Sequence, residues 1–320
     1  MIQIKAKTTD HLDFTGKLNF KQILTNPILD IGARLWDDER YDAFKTCYRS
    51  MRIVDDLIDD RKVDGDKLSE IEKRLLTAKI VDWIEALDRN TPIDLFQKQF
   101  LETLARFQIP VWPWRRFAQS MIYDLYYNGF RTFPIFLEYA EGAAVAPGSV
   151  FMHLCGIVKE NDRYRPPQFD IRKAARPLAR FCYLVHIVRD FQKDQNSGLN
   201  YFADNLVAEN GLNPTILREI ANGGEENPTF RKLIQKYYNF AEDYRSKARH
   251  MLDEIVAYLE PRYLLSLEVI YSLYLQIFER IDVQNGRFTT IELMPSPEEI
   301  KNRIDLTISS FKSTLHESKI

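Results

Sequence analysis

Two short segments hold acidic residues at a spacing that could do chemistry. The first, residues 48–60, reads YRSMRIVDDLIDD. Residues three and four apart share a helix face, so Tyr48, Arg52, Asp55 and Asp59 form one polar stripe. The second, residues 183–194, reads YLVHIVRDFQKD and places Tyr183, His186, Asp190 and Asp194 on a matching stripe. Like charges one turn apart repel unless something neutralises them. Magnesium takes oxygen ligands and typically uses one or two carboxylates plus substrate phosphates. Two such helices facing each other would hold magnesium between them with a diphosphate as the bridge. A lone Asp-x-x-x-Asp is usually a solvated face, and pairs such as Asp38/Asp42 and Asp66/Glu70 suit helix starts, where acids favour the dipole. The two stripes differ in following apolar runs and in each carrying an aromatic. His186 has two readings: a hydrogen-bond donor to phosphate, or a histidine satisfied by a neighbouring helix. Imidazole is a poor magnesium ligand.

The elements that must carry these stripes are helices. Apolar residues recur at three- and four-residue spacing, predicting helices over 17–35, 39–61, 67–88, 93–107, 112–128, 132–156, 171–195, 213–221, 228–259, 262–284 and 296–316. Asn26-Pro27, Asn213-Pro214 and Asn227-Pro228 each put a capping side chain before a proline at a helix start. Ser296 and Glu299 form a capping box. Pro147, among the small residues 142–148, predicts a kink that either opens room beside the helix or serves close packing. Residues 157–170 and 195–212 read as loops. Glycine is scarce, 12 in 320 residues, and alternating strand patterns are hard to find. An all-α protein of one domain over 1–320 is expected.

Composition narrows the classes. The net charge of −2, with 28% charged residues, argues against nucleic-acid binding. No apolar stretch is long enough to span a bilayer and the N-terminus lacks a signal pattern, so a cytoplasmic location is expected. Cys47, Cys155 and Cys182 fit neither a disulfide nor a zinc pattern, and Cys47 and Cys182 read as small apolar filler. A ferritin-like carboxylate bundle needs Glu-x-x-His pairs, which do not occur.

The paired motifs, about 135 residues apart, resemble the squalene/phytoene synthase family of trans-prenyltransferases. The family's Tyr-x-x-x-Arg-x-x-Asp-Asp-x-x-Asp is matched by Tyr48, Arg52, Asp55, Asp56 and Asp59. Its Asn-x-x-Arg-Asp-x-x-x-Asp is matched by Arg189, Asp190 and Asp194, with His186 in the asparagine's place. Asp124, the segment from Tyr139 to Gly148, and Tyr274 are similar to the family's central and late helices. The likeness spans roughly 20–285. It implies the isoprenoid synthase all-α fold, with magnesium on Asp55, Asp59, Asp190 and Asp194.

The resemblance also implies the reaction. An allylic diphosphate, farnesyl or geranylgeranyl, ionises with Arg52 and Arg189 adding charge to the phosphates. A second prenyl diphosphate attacks head to head through a cyclopropyl intermediate. Tyr48, Tyr139 and Tyr274 are the tyrosines nearest that chemistry. Products of the family are C30 or C40 hydrocarbons or a hydroxylated C30 alcohol, and NADPH use is open. An oily product suggests peripheral membrane contact. Three departures fall at substrate-binding places: the family's Ser-x-Ser-Phe reads Thr25-Asn26-Pro27-Ile28-Leu29 here, its Asn and Gln are His186 and Tyr183, and its Arg-Ile-Tyr reads Leu199-Asn200-Tyr201. The alternatives are a chain-elongating prenyltransferase, a terpene cyclase, or a non-catalytic relative acting in assembly. Elongating enzymes carry Asp-Asp-x-x-Asp in both motifs, unlike this chain; non-catalytic relatives lose aspartates that this chain keeps.

Overall fold

The computed structural model describes residues 27–62, 68–224 and 228–317, with the side chains of 59–62 and 315–317 outside that description. The expected helix residues 17–26 and the caps Asn26 and Asn227 therefore lie outside the described residues. The helices are α1 (Ile28–Ala33), α2 (Asp38–Lys62), α3 (Glu70–Asp88), α4 (Leu95–Phe107), α5 (Trp112–Tyr126), α6 (Phe133–Ala140), α7 (Ala146–Gly156), α8 (Ile171–Arg189), α9 (Phe191–Asn196), α10 (Asp204–Glu209), α11 (Pro214–Ala221), α12 (Pro228–Ile255), α13 (Pro261–Phe278), α14 (Thr290–Leu293) and α15 (Pro297–Glu317). The all-α expectation holds, with one two-stranded hairpin, β1 (Val158–Glu160) and β2 (Arg163–Arg165), inside the expected 157–170 loop. Tyr164 anchors that hairpin by stacking on Phe107 at 4.6 Å, a tertiary contact invisible to periodicity. No helix among the described residues is long and apolar enough to cross a membrane.

Local signals set several ends. Asn213 accepts from the Ile216 amide at 3.0 Å, and Ser296 and Glu299 close the expected box at 2.7 and 3.3 Å. A second box, Ser69 with Glu72, starts α3 later than the periodicity predicts.

Two long predicted helices are broken. The 171–195 helix ends at Arg189 and resumes at Phe191, with Asp190 at φ −92°, ψ 4°. The backbone ladder survives on both sides, Asp190 N–H to His186 O at 2.9 Å and Asp194 N–H to Asp190 O at 2.8 Å. What redirects the chain is anchoring. Phe191 packs on Phe202 and Phe230, and Gln192 donates to Ala221 O at 3.0 Å and accepts from Thr290 N–H at 3.1 Å. In the 132–156 run the irregularity is a π turn at Glu141–Val145, one turn ahead of the expected kink at Pro147. Pro147 has no N–H to close onto that turn, and the widened turn spares its ring a clash. Ser120 Oγ donates to the Tyr139 carbonyl at 2.7 Å across from α5.

The π turn also aims Glu141 inward, where it is 4% exposed. It accepts from Arg172, Arg176 and Arg180 at 2.7–3.1 Å, a stripe on α8 spaced every four residues. Burial pushes its carboxyl up, but hydrogen bonds and charge from Arg176 and Arg172, with Arg180 behind them, outweigh that and lower it from 4.5 to about 2. A depressed carboxyl adds stability above its unfolded value that is lost as pH falls through the folded value. Glu141→Gln is therefore expected to flatten the stability curve between about 4.5 and 2. Urea melts across that window check it; parallel curves for both proteins would refute it.

Candidate active site

Helix α8 packs against α12, α7 and α13 and so runs through the centre of the molecule. Its inner face lines a cavity of about 380 Å³ through Ala175, Leu178, Ala179, Cys182, Tyr183 and His186. Each residue of helix advances ~1.5 Å, so these side chains form a depth scale running toward Asp190. The opposite walls are Leu29 at the start of α1, Tyr48, Met51, Arg52 and Asp55 on α2, and Ile270 and Tyr274 on α13. Ala143, Ala144, Pro147 and Gly148 complete the wall, so the small-residue segment does make room. The lining is mostly apolar, with its charged groups at the α2 and α8 ends.

On α2, Arg52 is 46% exposed and turns onto its own motif, 2.6 Å from Asp55 and in contact with Asp56. Asp59 lies on the same helix but outside the residues whose side chains are described. On α8, Arg189 is 12% exposed and grips Asp190 with two hydrogen bonds of 2.6 and 2.9 Å. His186 Nε2 lies 2.9 Å from Asp190 and its Nδ1 3.1 Å from Arg189 Nη2. The ring thus bridges the Asp190 carboxylate and the Arg189 guanidinium.

The two aspartates of the second stripe diverge. Burial pushes Asp190 up, but Arg189 and His186 outweigh it and hold the carboxyl well below its usual range. Asp194 is pushed up to about 7 by burial and by the Asp190 carboxylate. Asp194 stands beside Tyr201 and Phe202 and is not among the residues that line the cavity.

A divalent cation is tested against these residues. Among the described residues no three His, Cys, Asp or Glu side chains cluster as a ready-made metal cage. Magnesium does not need one, since it retains waters and takes phosphate oxygens alongside one or two carboxylates. The donors are hard oxygens: Asp55 lines the cavity and Asp190 is joined to it through His186. The residues present fit the ion.

Leu29, Tyr48, Arg52, Asp55, Tyr183, His186 and Tyr274 thus share one cavity, with Asp190 and Arg189 joined to it through His186. Tyr139, Asp124 and Tyr201, expected nearer the substrate, stand one layer behind Tyr183. Tyr139 Oη donates to Asp124 at 2.8 Å, and the Tyr139 and Tyr201 rings each lie 6.4 Å from that of Tyr183. Cys182, read as filler, is wall. Sequence reasoning missed Met51, Ala179 and Ile270; the alanines at 175 and 179, one turn apart before Tyr183, were the available signal.

A family model described as squalene/phytoene synthase matches residues 31–299. Phytoene synthase 2, chloroplastic, from Oryza sativa subsp. japonica is 26% identical over 263 residues, 80% of this chain and 60% of that protein. Phytoene synthase 1, chloroplastic, from Arabidopsis thaliana is 25% identical over 227 residues, 70% of this chain and 48% of that protein. The chain thus spans about half to three fifths of these relatives' length. Among solved structures, a dehydrosqualene synthase in complex with ligand superposes with a TM-score of 0.67 at 17% identity, covering 93% of this chain and 95% of that one. A squalene synthase from Alicyclobacillus acidocaldarius superposes with a TM-score of 0.62 at 14% identity, covering 88% and 99%. The fold is the all-α isoprenoid synthase fold.

Proposed function

Because this chain belongs to the squalene/phytoene synthase family, we propose that it condenses two prenyl diphosphates head to head after magnesium-dependent ionisation of an allylic diphosphate. The observation that carries this is the apolar cavity lined toward its α2 end by Asp55 and Arg52 and linked on α8, through His186, to Asp190. Such a cavity takes a hydrocarbon chain inward and holds a diphosphate at the charged end.

Asp55, Asp59, Asp190 and Asp194 would hold the magnesium, which supplies charge to the leaving diphosphate. Arg52 and Arg189 orient the carboxylates and add positive charge to phosphate oxygens as the C–O bond breaks. The apolar walls exclude water from the cation, and Tyr48, Tyr183 and Tyr274 present aromatic surface to it. The second prenyl diphosphate adds its double bond to that cation, and the resulting cation loses a proton whose C–H electron pair closes the ring of a cyclopropyl diphosphate. The same reading takes the chain as one cytoplasmic domain that meets membranes peripherally, because its product is an oil.

The test is incubation with farnesyl and geranylgeranyl diphosphate plus magnesium, followed by mass analysis of an organic extract. A C30 or C40 product supports the reading. Failure to consume either substrate, or a linear elongated or cyclised product, overturns it.

His186→Asn is expected to lower the magnesium concentration for half-maximal activity several-fold. The amide oxygen can ligate the ion, and Asp190 loses a competing donor. An unchanged magnesium requirement and an unchanged pH profile, at equal thermal stability, would make His186 a spectator.

A further inference from the structure

Helix α8 carries opposite charge toward its two ends. By its C-terminal end lie the carboxylates of the cavity, Asp190 next to it and Asp55 across on α2. Its first turns carry Arg172, Lys173, Arg176 and Arg180. The three arginines converge on one carboxylate, Glu141, at 2.7–2.9 Å. The helix cap Asp170 is the second acid beside them, accepting from the Lys173 amide at 2.9 Å. Four cations thus stand over two carboxylates. Acids on the adjoining α6 and α12 are taken by other bases: Glu138 by Arg116, Glu242 by Arg245 and Asp243 by Lys247. Sharing Glu141 does not bury the stripe, because Arg172 and Arg176 remain 41% and 38% exposed.

Aromatic rings flank these charges. Arg172 lies 5.3 Å from the ring of Trp112, half-buried at the start of α5. Just ahead of α8, Phe169 packs against the exposed Tyr258 at 6.0 Å. Cations beside tryptophan and tyrosine suit a bilayer interface, where basic groups meet lipid phosphates and amphipathic rings sit among the headgroups. Position favours a bilayer over an acidic protein. The cavity lining on α8 runs from His186 to Ala175, about 16 Å along the axis, and Ala175 falls between Arg172 and Arg176 in the sequence. The stripe therefore stands level with the cavity end remote from the carboxylates. An anionic membrane attracts this end and repels the acidic one, which leaves the diphosphate end toward water. That orientation suits substrates that carry diphosphates and a product that is an oil, and it has no use for a protein partner.

Resting in part on the head-to-head reading, we propose that Arg172, Lys173 and Arg176, with Trp112 and Tyr258 beside them, form the surface by which the protein docks on a bilayer rich in anionic phospholipid. Glu141 holds the two arginines in register, and Lys173, exposed on the same turns, adds a third cation. Each basic residue close to an anionic surface strengthens binding about fivefold.

The experiment is cosedimentation of the whole protein with vesicles, without substrate. Wild type should bind mixed phosphatidylglycerol and phosphatidylcholine at least about tenfold more tightly than phosphatidylcholine alone. Raising salt from about 0.1 to about 1 M should release it, since the Debye length falls from about 10 to about 3 Å. Lys173→Glu reverses one charge without touching Glu141 and should weaken binding by about tenfold or more. Arg172→Gln combined with Arg176→Gln should do the same; if melts show that losing the Glu141 pairs unfolds that variant, Lys173→Glu decides alone. Lys232→Glu makes the same exchange at the start of α12, where Phe230 packs on Phe191 past the other end of α8, and should bind as wild type does. Equal binding to both vesicle types, no binding at low salt, or unchanged binding by Lys173→Glu overturns the proposal. Equal weakening by Lys232→Glu also overturns it, because overall charge and not this surface would then govern. With no substrate present, a failed surface leaves the condensation standing, and a failed condensation shows in the product extract and not in the sedimentation.

Discussion

Asp190→Asn is expected to lower turnover of an allylic prenyl diphosphate by about 100-fold or more, equivalent to about 2.7 kcal/mol of barrier. Asparagine keeps the shape of the side chain and one acceptor oxygen but removes its charge. Asp190 is the carboxylate joined to the cavity through His186 and held ionised by Arg189 at 2.6 Å, so its loss strikes the most preorganised acid of the site. Arg189, 12% exposed, would lose its neutralising partner, and some stability should go with it. Thermal melts separate the two effects, because a folded variant assayed well below its Tm reports on chemistry. Raising magnesium should recover part of the lost rate, since the remaining carboxylates still favour the ion. Unchanged turnover in the folded variant would remove Asp190 from the site.

The periodicity carried most of the fold, because helices longer than about three turns repeat their apolar face often enough to be read. Helix α2 is found at Asp38–Lys62 against an expected 39–61, and the Tyr48, Arg52 and Asp55 stripe faces the cavity as the spacing requires. What escaped is set by distant partners. The break at Asp190 depends on Gln192 reaching Ala221 and Thr290, residues about 30 and 100 positions away. Short α10 and the hairpin around Tyr164 are too brief to show a period. The layering of the site was equally hidden. The resemblance puts Tyr139 nearest the chemistry and Tyr183 at a substrate-binding place, and only packing shows that Tyr183 lines the cavity while Tyr139 stands behind it, bonded to Asp124. Glu141 was a readable clue that went unused: a lone acid in an apolar run, matched by arginines at 172, 176 and 180 on one helical face.

Gly142→Ala is expected to destabilise the protein by about 3 kcal/mol or more, at the upper end of overpacking costs. Gly142 lies in the π turn where it crosses α5, and a Cβ there would sit 2.1 Å from Ser120 Oγ and 2.2 Å from the Arg116 carbonyl oxygen. The hydroxyl could rotate away, but the carbonyl belongs to the α5 backbone and moves only with its helix. Displacing α5 from the π turn would strain the Ser120 bond to the Tyr139 carbonyl and the Tyr139 bond to Asp124, which tie α5 to the end of α6 just ahead of the turn. It would also shift Ala143 and Ala144 in the cavity wall, so activity should fall with stability. A chain of this size should lose at least about 5 °C in Tm for such a change. Gly148 supplies the contrast. A Cβ there meets only the Ala179 methyl, at 3.2 Å, so Gly148→Ala should cost much less. Adding Ser120→Ala to Gly142→Ala removes one clash and leaves the backbone one, so it should restore little. Full rescue by that double variant, or equal melting of the Gly142 and Gly148 variants, would show that the carbonyl contact does not govern the packing of the π turn.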